Sequence, residues 1–204
     1  MKTCVYGRSE FILAILEKKL SVNELNVVSW REPAPEPTFY DQIFVIGFDK
    51  GLYTKVYRNF ILDGYMKQLL FVARLKRVNP HLKVYYINTH STSSISFSRY
   101  EAAKNRLAYK LSLLGHFHQI CPDTIVDDNG EFMHVKKGLY AKCLGLLVKL
   151  TILKTCSLSD FTESIVQMLD RPSLGKEDLP CQKYILLKYA RPPIIDKLLK
   201  LLTL

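Results

Sequence analysis

The sequence predicts an α/β fold in which a parallel, doubly wound sheet carries helices on both faces. Short β-rich runs alternate with amphipathic helical patterns over residues 2–114, and this alternation is typical of βαβ units. The run at residues 41–48 is apolar almost throughout instead of alternating with polar residues. Such a run indicates a strand that is buried on both faces, as in a parallel sheet.

The N-terminal part supplies the first two predicted strands. Residues 2–6 form a strand and Gly7 a turn, and apolar positions over residues 11–20 then follow with helical spacing. A second strand is predicted at residues 25–30. A loop must follow it, because the prolines within residues 33–37 interrupt regular structure.

The central part repeats the strand–helix order twice. A strand at residues 41–47 precedes a long helix from about residue 53 to residue 78, which Asn79-Pro80 ends. A strand at residues 83–89 precedes a helix at residues 99–114. The sequence thus predicts four parallel strands side by side, with Gly7 at their carboxyl edge.

The last third of the chain is less regular. It predicts one more strand within residues 119–126, helices at residues 140–153 and 158–169, and a late strand at residues 183–187. Either Ser157 or Ser159 is the expected N-cap of the second helix. We find no linker, and therefore expect a single domain over residues 1–204.

Composition and charge narrow the class of protein. The chain of 204 residues has 48% hydrophobic and 24% charged residues, which is typical of a globular domain. It has no apolar run of about 18 residues and no signal-like N-terminus, so we expect a cytoplasmic protein. Five cysteines without CxxC spacing argue against disulfides and a metal site. The net charge of +10 attracts nucleic acids, phosphorylated small molecules or acidic membranes.

Tyr100 and Lys104 are the strongest candidates for catalysis. They are four residues apart in the predicted helix at 99–114, so they share one helix face. A phenol ionises near pH ~10, and a nearby ammonium makes it a usable general acid/base. A hydroxyl at the end of the preceding strand, such as that of Thr89 or Ser91, could polarise a substrate carbonyl. Taken alone, a Tyr/Lys pair at this spacing is usually surface decoration.

The turn at Gly7 is a second candidate site. A glycine turn between a strand and a helix can bring the helix N-terminus to a pyrophosphate. Only one glycine is present here, so a simple strand-to-helix turn is the favoured interpretation of this segment taken alone. His90, His116 and His118 lie near presumed strand ends and are interpreted as structural, because no third ligand is evident.

Seven segments follow one another in an order that is familiar from one enzyme superfamily. They are VYGRSEFILAILEKKL at residues 5–20, residues 40–46, Asn59, residues 84–89, Tyr100-Glu101-Ala102-Ala103-Lys104, Cys121-Pro122, and residues 158–166. In this order the chain resembles the short-chain dehydrogenase/reductase superfamily, in particular its branch of nucleotide-sugar epimerases, dehydratases and reductases. The fold implied is Rossmann-like, with a dinucleotide-binding core at residues 1–120 and a reduced substrate-side and helical part at residues 121–204.

The resemblance implies a function and a set of site residues. The protein would be an NADP-dependent reductase, epimerase or dehydratase acting on a nucleotide sugar, as in surface-polysaccharide biosynthesis. Tyr100 would be the acid/base, Lys104 its electrostatic partner and Thr89 the hydroxyl that orients the substrate. The cofactor would contact Gly7, Arg8, Ser9, Arg31 and Asn59. The two arginines favour NADP over NAD, because the acidic residue that would hold an NAD ribose is absent.

Departures from that pattern support an alternative. Glu10 and Leu13 stand where the superfamily has glycines, and both side chains obstruct a close approach of the backbone to a pyrophosphate. The alternative is therefore a catalytically inactive relative that acts as a binding or scaffolding protein. A nucleic-acid binder is not expected, because no recognition motif is visible and the basic residues are dispersed.

The C-terminal residues 192–204 predict an amphipathic helix with a wide apolar stripe. The stripe must be buried, and we expect it to pack on the same domain or on a second copy of the chain in a homo-oligomer. The third surface on which the stripe could be buried is an anionic membrane, by peripheral contact.

Overall fold

The structure, a computed structural model, describes residues 1–7, 10–19, 24–29, 35–46, 57–88, 99–133, 138–150 and 154–175. Its centre is a five-stranded sheet that is parallel throughout, in the order β2-β1-β3-β4-β5. The strands are β1 (Lys2–Tyr6), β2 (Glu24–Val28), β3 (Gln42–Val45), β4 (Lys83–Ile87) and β5 (Phe117–Ile120). The predicted parallel sheet is confirmed.

Five helices and a second, smaller sheet complete the described part of the chain. The helices are α1 (Glu10–Lys19), α2 (Tyr57–Val78), α3 (Arg99–Ser112), α4 (Leu139–Lys149) and α5 (Leu158–Asp170). The small sheet pairs β6 (Thr124–Val126) with β7 (Thr155–Ser157) in parallel.

Helices cover both faces of the large sheet, because alternate residues of each strand point to opposite sides. Tyr86 belongs to a core cluster with residues of α2 and α3, such as Phe71 and Leu107. Its neighbour Tyr85 belongs to a second cluster with residues of α1 and α5, such as Leu16. This arrangement confirms the doubly wound fold, and it explains why β4 is buried at four consecutive positions.

The end of α2 and the start of α5 are each stabilised by a side chain that hydrogen-bonds to a backbone group. Asn79 ends α2, and its amide donates to the carbonyl of Tyr40 at 2.7 Å, which fixes the helix against the start of β3. Ser157 caps α5, and its hydroxyl accepts a hydrogen bond from the backbone N–H of Asp160 at 3.0 Å. Of the two serines considered from the sequence, Ser157 is therefore the N-cap.

The single strand predicted within residues 119–126 is replaced by two strands in different sheets. Cys121-Pro122-Asp123 separates β5 from β6, and Pro122 has no N–H to donate to a ladder. β5 pairs with β4, whereas β6 pairs with β7.

The predicted strand at residues 183–187 and the predicted helix at residues 192–204 lie outside the described residues. Within the part that the structure describes, no helix is both long enough and apolar enough to cross a membrane.

Candidate functional site

The strand order makes the carboxyl ends of β1 and β3 the place where a parallel sheet of this kind binds ligands. The chain leaves β1 for α1 on one face of the sheet and leaves β3 for α2 on the other face. Adjacent strands whose connections diverge in this way form a topological switch point, where ligands bind in open parallel sheets. Past the strand ends, Ile46 still donates to the carbonyl of Tyr6 at 3.0 Å, so β1 and β3 remain joined up to this edge.

Gly7 forms the turn at this edge in the backbone conformation that only glycine adopts readily. Its φ angle is 117°, and its N–H donates to the carbonyl of Val28 at 2.9 Å. The turn therefore lies at the carboxyl edge, as the sequence predicts. Dinucleotide-binding folds also have a glycine at this position, where their first strand turns into the helix.

Leu13 in α1 differs from the residue that a dinucleotide-binding fold has at this position, which is a glycine. It is half-buried and packs against the core cluster between α1 and the sheet. A glycine at that position would allow close packing of helix on strand, whereas the leucine side chain occupies the space. Glu10 is the first residue of α1, and its side chain lies outside the described part.

Lys104 reaches from α3 to the carboxyl end of β4. Its side chain is 3% exposed, and Nζ donates to the carbonyl of Ile87 at 2.7 Å. The ammonium lies 5.4 Å from the centroid of the Tyr86 ring, and the Tyr86 hydroxyl donates to the carbonyl of Lys104 at 3.2 Å. These contacts fix a cation where β4 ends, two residues before Thr89.

Asn88 joins two other carboxamides by hydrogen bonds near the carboxyl ends of β4 and β5. Asn88 follows β4 directly, is buried, and donates to Asn105 Oδ1 at 2.9 Å and to Gln119 Oε1 at 3.3 Å. Asn105 follows Lys104 in α3, and Gln119 belongs to β5. The carboxyl edge therefore carries an ammonium and several amides, which are groups that hydrogen-bond to hydroxyl, carbonyl and phosphate oxygens.

Cys121 extends the same edge beyond β5. Burial raises the pKa of its thiol above the usual value, while the positive charge of Lys104 acts in the opposite direction. The raised pKa keeps the thiol protonated at neutral pH, so it is a weak nucleophile here.

The structure places only part of the predicted site. Gly7 and Lys104 lie at the carboxyl edge. Tyr100 and Asn59 belong to the first turns of α3 and α2, but their side chains lie outside the described part. The remaining predicted residues, which are Thr89, Arg8, Ser9 and Arg31, also lie outside it.

Sequence reasoning missed the carboxamides as site residues. One signal was available, because Asn88 lies directly before Thr89 and Asn105 directly after Lys104. Polar residues next to a predicted catalytic pair and at strand ends are candidates for the same site. Among the described residues, no group of three or more His, Cys, Asp or Glu side chains could hold a metal ion.

The comparisons with known proteins add no family. The chain matches no protein-family model and no curated protein sequence.

Proposed function

We propose that this protein is an NADP-dependent reductase, epimerase or dehydratase that acts on a nucleotide sugar. The observation that carries the proposal is the position of Lys104, whose ammonium is buried and bonded to the last residue of β4. A lysine that only decorated the surface would keep its charge in water. The contact supports a working role for the Tyr100/Lys104 pair.

Tyr100 precedes Lys104 by one helical turn in α3, on the side where the strands end. Positions four residues apart share a helix face. In the proposed site, Tyr100 transfers a proton to or from a substrate hydroxyl, and the Lys104 ammonium stabilises the ionised phenol. Thr89 orients the substrate from the segment after β4.

The cofactor would lie at the switch point and would accept or supply a hydride. Gly7, Ser9 and Asn59 would contact it, and Arg31 together with Arg8 would suit its 2′-phosphate. The left-handed turn at Gly7 supports this placement. The surplus of 29 basic over 19 acidic residues supports an anionic ligand.

A second candidate function is a binding or scaffolding protein that has the fold without the catalysis. The observation that favours it is Leu13, which is half-buried and packs against the core cluster that α1 shares with the sheet. A leucine where dinucleotide-binding folds have a glycine hinders the close packing of helix on strand that brings the helix N-terminus to a pyrophosphate.

Titration of the purified protein with NADPH, followed by nicotinamide fluorescence, tests the first candidate against the second. We expect saturable binding that is tighter for NADPH than for NADH, and Arg31→Ala should remove that preference. Absence of binding of both nucleotides at millimolar concentration would overturn the first candidate and favour the second.

Once a nucleotide-sugar substrate has been found, the kcat of variants tests whether Tyr100 transfers the proton. Tyr100→Phe should lower kcat by about 10²–10⁴ and leave NADPH binding unchanged, because only a hydroxyl is lost. Tyr109→Phe, in the same helix, is the matched control and should keep wild-type activity. Full activity of Tyr100→Phe would assign the proton transfer to another residue.

A further inference from the structure

Helix α4 connects the two strands of the small sheet, but it lies outside the core. It runs between β6 and β7, whereas α5 supplies side chains such as Phe161 and Ile165 to the core cluster that includes Ile125 of β6. Among the described residues, neither core cluster includes a member of α4. The side chains described within α4, at residues 142–149, are half-buried or exposed. α4 therefore lies on the surface of the described part of the chain.

The composition of α4 is that of a buried helix. Of its 11 residues, only Lys142, Gly145 and Lys149 are not hydrophobic. α5 has a similar length, and it does bury one face in the core. A helix that is apolar almost all round and is nevertheless exposed has a surface that needs a partner outside the described core.

The exposed residues of α4 and of its C-cap form a single face. They are Lys142, Leu146, Lys149 and Leu150, at positions i, i+4, i+7 and i+8, which is the spacing of one helix face. Leu146 is 57% exposed and Leu150 is 55% exposed. This surface, called the α4 face below, therefore presents two leucines beside two lysines.

The sequence around the α4 face is basic. Between Glu131 and Asp160 it contains no acidic residue, whereas it contains Lys136, Lys137, Lys142, Lys149 and Lys154. A partner for this surface needs apolar groups for the leucines and negative charge for the lysines. A bilayer with anionic headgroups supplies both, because its acyl chains lie directly beneath its phosphates.

We propose that the α4 face binds the surface of an anionic membrane, with α4 in the plane of the interface. At 1.5 Å per residue, α4 is about 16 Å long, which is shorter than a hydrocarbon core of about 30 Å. Leu146 and Leu150 would enter the boundary between headgroups and acyl chains. The alkyl stems of Lys142 and Lys149 would lie along this boundary and place their ammonium groups at the phosphates.

A second copy of the chain fits the α4 face less well. In a twofold dimer the same surface patch meets itself. The lysines of one α4 face would then meet those of the other, and this stretch of sequence supplies no acidic residue to pair with them. Lysine is also depleted in the cores of protein–protein interfaces. The inference does not depend on the proposed activity, because none of the residues proposed for that activity belongs to α4.

Sedimentation of the full-length protein with lipid vesicles tests the proposal. We expect binding to vesicles of equal parts phosphatidylcholine and phosphatidylglycerol, weaker binding to phosphatidylcholine alone, and a decrease with rising salt. Leu146→Gln/Leu150→Gln should weaken binding by about tenfold or more, and Lys142→Gln/Lys149→Gln by about fivefold per lysine. All four side chains are exposed, so both variants should fold.

An exposed lysine and an exposed leucine of α2 provide the matched control. Lys67→Gln/Leu70→Gln makes the same chemical changes on another helix and should bind vesicles as the wild type does. No binding to anionic vesicles, equal binding to both lipid compositions, wild-type binding by the α4 variants, or an equal loss in the control would each overturn the proposal. A dimer that the α4 variants dissociate in analytical ultracentrifugation, without vesicle binding by the wild type, would assign the α4 face to a second copy instead.

Discussion

The ammonium of Lys104 donates a hydrogen bond to the carbonyl of Ile87 at 2.7 Å, and this bond joins α3 to the carboxyl end of β4. A second hydrogen bond joins the same two elements, in which the Tyr86 hydroxyl of β4 donates to the carbonyl of Lys104 in α3. A cation is thereby positioned at the sheet edge before any ligand arrives. Such positioning is what a catalytic or binding site requires of its charged groups.

The burial of Lys104 predicts a slow reaction of its amine with acylating reagents. Lys104 is 3% exposed and its amine is hydrogen-bonded, so the amine reacts only after a local opening. We expect acetylation of Lys104 in the native protein to be slower by about tenfold or more than that of exposed Lys67, which corresponds to an opening free energy of about 1.4 kcal/mol. Peptide mass spectrometry measures both rates, and equal rates in native protein would contradict the buried position.

Gly7 should tolerate no side chain. Its φ of 117° is strained for alanine, so Gly7→Ala should lower the free energy of unfolding by about 1–3 kcal/mol. Gly145→Ala is the matched control, because Gly145 is inside α4 and an added Cβ would meet no atom within 4 Å. That change should stabilise the protein by about 0.5–1 kcal/mol. Urea denaturation measures both, and a neutral Gly7→Ala would disprove the left-handed turn.

Gln68 and Gln42 should respond in opposite directions to replacement by leucine. Gln68 is 0% exposed, and neither atom of its amide has a hydrogen-bond partner among the described residues. Gln68→Leu should therefore raise the free energy of unfolding by about 1–3 kcal/mol. Gln42 is also buried, but it donates to the hydroxyl of Thr3 at 2.8 Å, so Gln42→Leu should lower stability by about 1 kcal/mol. Thermal unfolding distinguishes the two, and destabilisation by Gln68→Leu would show that its amide is satisfied in solution.

The cap of α5 provides a comparison between two neighbouring serines. Ser157→Ala should cost about 1 kcal/mol, because its hydroxyl accepts from Asp160 and the carboxylate of Asp160 accepts from the backbone of Ser157. Ser159 is exposed inside the helix, so Ser159→Ala should change stability by less than about 0.5 kcal/mol. Equal effects in urea denaturation would argue against the capping box.

The sequence predicted where in the sheet Lys104 lies, but it did not predict which side chains lie at the same edge. The spacing of Tyr100 and Lys104 and the strand ending before Thr89 were sufficient to place the lysine at the carboxyl edge. The hydrogen bond from Asn88 to Gln119 was not predictable, because it depends on β5 being the neighbour of β4. Periodicity carries no information about which strands become neighbours. For the same reason His118 was interpreted as a residue near a strand end, although it lies inside β5 and is buried there.

By itself, the sequence determined the alternation of strands and helices and the parallel sheet that follows from it. Hydrophobic periodicity and proline positions act over a few residues, so each segment carries its own preference for helix or strand. The strand order was settled by tertiary packing, and with it the switch point between β1 and β3, the contact of Lys104 with Ile87 and the stacking of His118 on Tyr85. These contacts join residues that are distant along the chain, and they form because the two faces of the sheet must be buried at the same time.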